Sequence, residues 1–171
     1  MVRQPGGEKH HWRLPAVSEI LFAMQQRISG GCRCGAVRYT VTATDLPRTY
    51  ACHCRDCQTW PGGAFSQQAL LPEQSLQVTG PIAVFELATA DRISRQRFCA
   101  HCHTRIFNIN TARPGLDVLR AGTLDASDAL YVGAHIWVSR KQPWIQIPAD
   151  VPSWPEGAPA AAFAAAMGLG T

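Results

Sequence analysis

The sequence predicts a mainly β domain of short antiparallel strands, and three observations predict it. Apolar and polar residues alternate in short runs, turn residues punctuate those runs closely, and no long helical period crosses the middle of the chain. The alternation is cleanest where Val37, Tyr39, Val41 and Ala43 interleave with Arg38, Thr40, Thr42 and Thr44. That is the pattern of a strand with one covered face. Residues 82–87, 93–98, 106–110, 116–121 and 130–138 read as further strands. Gly80-Pro81 and Arg113-Pro114-Gly115 separate some of them, because Gly and Pro supply the backbone angles of tight turns.

Two flanking zones differ from this centre. In residues 1–29, Leu14, Val17, Leu21, Met24 and Ile28 recur at helical spacing, and Pro15 suits a first turn. This predicts a short N-terminal helix packed on the domain. Residues 30–148 form the β domain. Residues 149–171 are rich first in Pro and then in Ala, and read as a linker followed by a marginal helix or frayed tail.

Composition narrows the classes of function. With 171 residues, 46% hydrophobic and 16% charged, the chain reads as one globular domain rather than a disordered one. The net charge of +4 comes from scattered arginines, with no basic run of the kind that marks a nucleic-acid footprint. No apolar run approaches the roughly 18 residues of a membrane span, and the apolar stretch 20–24 is too short for a signal-peptide core. A cytoplasmic protein with no membrane and no nucleic-acid partner is expected. In that compartment thiols stay reduced.

Seven cysteines fall in three close-spaced clusters: Cys32-Arg33-Cys34, then Cys52-His53-Cys54-Arg55-Asp56-Cys57, then Cys99-Ala100-His101-Cys102. Reduced, clustered cysteines argue for metal rather than disulfides. Zinc takes four soft donors in a tetrahedron, and a two-residue gap lets both sulfurs of one turn reach one ion. Two such sites need eight donors, so seven cysteines suggest one closed site and one that keeps a place for water or substrate. Spacing alone does not say which clusters pair. Cys54 and Cys57 with Cys99 and Cys102 would make a zinc ribbon and leave Cys32, Cys34 and Cys52 aside.

Longer motifs surround these clusters. Gly30-Gly31-Cys32-Arg33-Cys34-Gly35-Ala36-Val37-Arg38-Tyr39, the run from Cys52 to Gln58, and Phe98-Cys99-Ala100-His101-Cys102 follow one another in order. Ala121-Gly122-Thr123-Leu124-Asp125, His135-Ile136-Trp137 and Gln142-Pro143-Trp144 complete the series. Together they resemble the glutathione-dependent formaldehyde-activating enzyme family, which includes the centromere protein V domain, over roughly residues 30–147.

The resemblance implies a β-tent fold and two Zn²⁺ per chain. It implies a structural zinc on Cys32, Cys34, Cys99 and Cys102, and a catalytic zinc on Cys52, Cys54 and Cys57. It also implies a zinc-dependent carbon–sulfur lyase similar to S-(hydroxymethyl)glutathione synthase, acting on glutathione or another small thiol adduct. The alternatives are a non-catalytic glutathione carrier and a zinc-stapled interaction module. His103 stands where the family usually has glycine, so it either adopts a glycine-like backbone or reaches a metal.

Three thiolates around Zn²⁺ suit the capture of an incoming thiol, whose own pKa of about 8.5 leaves it largely protonated at neutral pH. His53, Gln58, His135 and Trp137 are the expected substrate-binding residues, with His135 a proton donor or a satisfied core histidine. Arg33, Arg55, Arg95, Arg97 and Arg105 either bind substrate carboxylates or balance the thiolates. Trp60 and Trp144 are candidate cleft walls or core. His101, inside the third cluster, is expected to be exposed.

Overall fold

The computed structural model describes residues 27–169. The strands are β1 (Arg27–Gly31), β2 (Arg38–Thr42), β3 (Thr49–Cys52), β4 (Ser66–Pro72), β5 (Leu76–Thr79), β6 (Ile82–Ala88), β7 (Ile93–Cys99), β8 (Arg105–Asn110), β9 (Leu116–Arg120), β10 (Val132–Ile136) and β11 (Ser153–Trp154). Among the described residues two α-helices accompany them, α1 (Arg55–Thr59) and α2 (Ala160–Met167). The mainly β prediction holds. The expected N-terminal helix lies outside the described residues, except that Ile28 is buried in β1.

Three strands make a small antiparallel sheet in the order β1-β2-β5, and eight make a larger one in the order β11-β10-β3-β4-β9-β8-β7-β6. One core lies between the sheets, where Val37, Tyr39 and Val41 meet Ala69, Leu71 and Leu119. A second lies on the other face of the large sheet, where Tyr50, Leu70, Val118 and Ile136 meet Phe163 and Met167 of α2. Strands β3, β4 and β9 are therefore covered on both faces. A strand buried on both sides loses polar alternation, which explains why β3 and β4 escaped the sequence pattern.

The motif 121–125 fastens the small sheet to the large one. Gly30 bridges to Leu124, Tyr39 Oη meets Thr123 Oγ1 at 2.8 Å, and Arg38 forms a two-pronged ion pair with Asp125. A Cβ on Gly30 would come within 2.2 Å of Tyr39 Oη and 2.5 Å of the Thr123 carbonyl oxygen. Only glycine permits that approach.

One expectation changes. The sheet is not wholly antiparallel: β10 runs parallel to both β3 and β11. β10 lies 80 residues after β3, so no tight hairpin forces the antiparallel sense. Of the two readings of the Pro/Ala-rich segment, the helix is the one that forms among the described residues. Alanines favour the helix α2, Gly168 ends it at φ +65°, and the Leu169 N–H donates to the Ala164 carbonyl, a left-handed stop. Phe163 and Met167 are buried, and β11 hydrogen-bonds to β10.

Candidate functional site

Two groups of cysteine sulfurs converge, each with all its sulfurs within 4.8 Å of one another. Cys32 and Cys34 lie in the turn between β1 and β2, where the Cys32 N–H donates to the Val37 carbonyl at 3.0 Å. Cys99 ends β7 and Cys102 lies in the turn to β8. The fold brings these two turns together. Cys34 Sγ stands 3.4 Å from Cys32 Sγ and 3.8 Å from Cys99 Sγ. A tetrahedron with metal–sulfur bonds of about 2.3 Å has edges of about 3.8 Å, so the spacing fits one ion. Backbone N–H groups of Val37 and His101 donate to Cys32 and Cys99 sulfurs at 3.2 and 3.4 Å.

The second group is local. Cys52 ends β3, Cys54 caps α1 with an extended backbone, and Cys57 follows within the helix. Residues three apart share a helix face, which places the Cys57 sulfur over that of Cys54. Gln68 on the neighbouring β4 donates from Nε2 to Cys57 Sγ at 3.2 Å and accepts from Tyr50 Oη at 2.7 Å.

Crowded thiols resist joint ionisation. Hydrogen bonds from Cys52 and Cys57 hold the Cys54 thiol far below its ordinary value, whereas hydrogen bonds to Cys54 and Cys57, with burial, push Cys52 up. In the other group, the Thr104 hydroxyl lowers Cys102 to about 5. A cation among the sulfurs would let all of them ionise. Both donor sets fit a metal ion. Among the described residues neither set includes a histidine or a carboxylate, so His103 is not among the converging donors. It instead takes the glycine-like option, with φ +58°.

The three-sulfur set opens on a large cavity. A space of about 420 Å³ is lined by Cys52, Cys54 and Cys57, with Trp60, Trp137 and Ile136 among its walls. Trp137 is held in a left-handed backbone at φ +59°.

The other three expected substrate contacts, His53, Gln58 and His135, are not among the residues that line this cavity. His53 and His135 are buried side by side, with His53 Nε2 and His135 Nδ1 2.9 Å apart. Burial lowers both imidazoles, His53 to about 4. Alternation explains His135: its neighbour Ile136 faces the cavity, so His135 points to the opposite side of β10. Gln58 donates from Nε2 to the carbonyls of His53 and Arg140 at 2.6 and 2.7 Å. These three brace the loop that carries the sulfurs.

Among the arginines, Arg55 and Arg105 line the cavity, while Arg95 pairs with Glu86. Arg92, Arg113 and Arg120 line it too, and the sequence reading missed them. Arg120 is buried at the end of β9, immediately before the 121–125 motif. Trp60 is a wall; Trp144 is 70% exposed and is not. His101 is exposed, as expected.

The scaffold and its two sulfur groups define a class: a mainly β protein able to hold a metal ion at each of two cysteine centres. Within that class the chain belongs to a known family, because the family model described as "Glutathione-dependent formaldehyde-activating enzyme" matches residues 27–140. Among solved structures, a crystal structure of a Rhodobacter sphaeroides protein is similar at 19% identity and a TM-score of 0.48, covering 57% of this chain and 88% of that one. No curated protein sequence matches. Among the described residues no helix is long and apolar enough to cross a membrane.

Proposed function

We propose that this protein is a zinc-dependent carbon–sulfur lyase that makes and breaks the adduct of formaldehyde with glutathione or another small thiol. The activity is that of an S-(hydroxymethyl)glutathione synthase. Family membership supports the thiol and the aldehyde. The observation that carries the reading is the unequal sulfur count: four cysteines close one set away from the large cavity, and three border it.

All-cysteine donors at tetrahedral spacing favour zinc at both sets. Cys32, Cys34, Cys99 and Cys102 hold a structural ion, and Cys52, Cys54 and Cys57 a catalytic one. Zinc bound there favours the thiolate of an incoming thiol at neutral pH. The chain's residues position the reactants. Gln68 orients Cys57 through its N–H, Trp137 and Trp60 wall the cavity, and the His53–His135 pair with Gln58 fixes the sulfur loop. In the forward direction the thiol sulfur joins the aldehyde carbon, and the thiol proton ends on the former carbonyl oxygen. The reverse breaks the same bond. Holding both reactants in one cavity supplies the proximity gain. Seven thiols free of disulfides suit a cytoplasmic setting.

Exchange NMR tests the reading. Catalytic amounts of metal-loaded protein should speed the interconversion of formaldehyde, glutathione and S-(hydroxymethyl)glutathione. Glutathione binding without any acceleration would leave a carrier, not a lyase.

A further inference from the structure

Five arginines line the cavity, namely Arg55, Arg92, Arg105, Arg113 and Arg120, against a single carboxylate, Asp56. Three thiolates around a divalent ion carry one net negative charge, and a substrate thiolate adds one more. The positive excess therefore outlasts the demand of the sulfur centre. Two of these cations are fixed against the sheet, Arg120 buried and Arg105 half-buried. Arg120 is 9% exposed, and its guanidinium donates from Nη1 to Ser66 Oγ at 3.3 Å and from Nη2 to Asn108 Oδ1 at 2.5 Å, both neutral. Among the described residues its Nε has no partner.

Arg105 donates from Nε to Gln96 Oε1 at 2.7 Å and lies over the Trp60 ring at 3.9 Å. Among the described residues its terminal nitrogens make no hydrogen bond, and the ion pairs are Arg38–Asp125 and Arg95–Glu86, which involve neither cavity arginine. Burial pushes both guanidiniums down, Arg105 to about 9, and both still carry charge at neutral pH.

A chain of buried amides and hydroxyls joins the two. Asn108 Nδ2 and Gln96 Nε2 both donate to Ser94 Oγ, at 3.3 and 2.7 Å, while their carbonyl oxygens face Arg120 and Arg105. These residues share one sheet face, since Gln96 pairs with Asn108 across β7 and β8. Buried charges left without a carboxylate are costly, and a network that aims their forks without neutralising them suits an anionic ligand. A second cavity of about 380 Å³ shares Trp60, Arg105 and Arg120 with the first, so the forks stand at the junction of the two spaces.

We infer that Arg105 is a specificity-determining residue whose free guanidinium fork receives a carboxylate of the thiol substrate, with Arg120 supplying a second positive charge behind it. This rests on the proposed thiol function and deepens it. The site selects thiols that bear a carboxylate over neutral ones of the same length. The Ser94–Gln96–Asn108 chain holds the forks in place.

Calorimetric titration of the metal-loaded protein tests this with three ligands: glutathione, its diethyl ester, and S-methylglutathione, which keeps both carboxylates but has no free thiol. Glutathione should bind roughly 30-fold more tightly than the ester, the scale of one charge-assisted hydrogen bond. In Arg105→Ala that ratio should collapse towards one, with ester affinity unchanged. Arg105→Lys should recover only part of it, because an ammonium has no fork. Equal affinity for acid and ester in the unaltered protein would overturn the inference without any variant. So would a ratio preserved in Arg105→Ala. S-methylglutathione separates this proposal from the lyase reading: if it binds and loses affinity in Arg105→Ala while formaldehyde exchange is not accelerated, the carboxylate site stands and the lyase reading falls.

Discussion

The two cysteine groups use the same donor atom, yet the chain assembles them in opposite ways. The four-sulfur group joins two turns that are distant in sequence, Cys34 and Cys99 being 65 positions apart. Its sulfurs accept from the backbone at Val37 and His101. The three-sulfur group spans only residues 52–57, takes a side-chain donor from Gln68, and faces the large cavity. Distant ligands tie the fold together, because an ion there closes a long loop. Local ligands presented on a preformed strand end and helix are free to serve chemistry. Sulfur count and sequence separation thus sort the groups by role.

The largest test of that contrast removes one sulfur from each. Cys102→Ser should abolish cooperative folding, since structural zinc contributes roughly 10 kcal/mol of apparent folding energy, comparable to the whole stability of a domain. Circular dichroism melts would show it. Cys54→Ser should keep a cooperative melt and lose one metal equivalent by elemental analysis, together with exchange activity. If Cys54→Ser also unfolds, or Cys102→Ser melts normally, the assignment of roles reverses or fails.

A smaller change sharpens the same division. Gln68→Leu removes the N–H on Cys57 and leaves Tyr50 Oη without its acceptor. Partners that orient a metal ligand are typically worth 10–100-fold in metal affinity. Competition with a chelator should therefore release one metal about 10–100-fold more readily, and the other at its usual affinity. Equal weakening of both metals would mean that the residue acts on the fold as a whole.

How much of this was legible beforehand depended on how each residue is covered. The half-covered strand β2 declared itself through Val37, Tyr39 and Val41, and the three cysteine clusters through their spacing. β3 and β4 did not, since both faces are buried: residues 49–52 are all inaccessible, and Leu70 and Leu71 serve different cores. The parallel partners of β10 depend on contacts across 80 residues, which no local pattern encodes. At the site, the spacing of Cys52, Cys54 and Cys57 already suggests convergence. For His53, Gln58 and His135 the sequence shows proximity to those cysteines but not which side of the loop a side chain leaves from, and all three are buried away from the cavity. Arg120 carried no local signal of burial; only its neighbours on β4 and β8 make it part of the cavity.

Each sulfur group also has one non-glycine residue with a positive φ, and this pair gives the mildest test. Trp137, at φ +59°, lines the cavity and packs against the second core. Trp137→Gly should relieve about 1 kcal/mol of backbone strain but lose about 1–2 kcal/mol of packing from a partly buried indole. The net expectation is slightly lower stability and weaker thiol binding. His103, at φ +58°, has an exposed side chain at the edge of the second cavity. Its N–H donates to the Cys99 carbonyl at 3.0 Å, a bond that glycine keeps. His103→Gly should therefore raise stability by about 1 kcal/mol in denaturant melts, with both metals and the exchange rate unchanged. A loss of stability or of metal would show that the imidazole supports the four-sulfur turn, and the strain there, like that at Trp137, would then belong to a side chain the site requires.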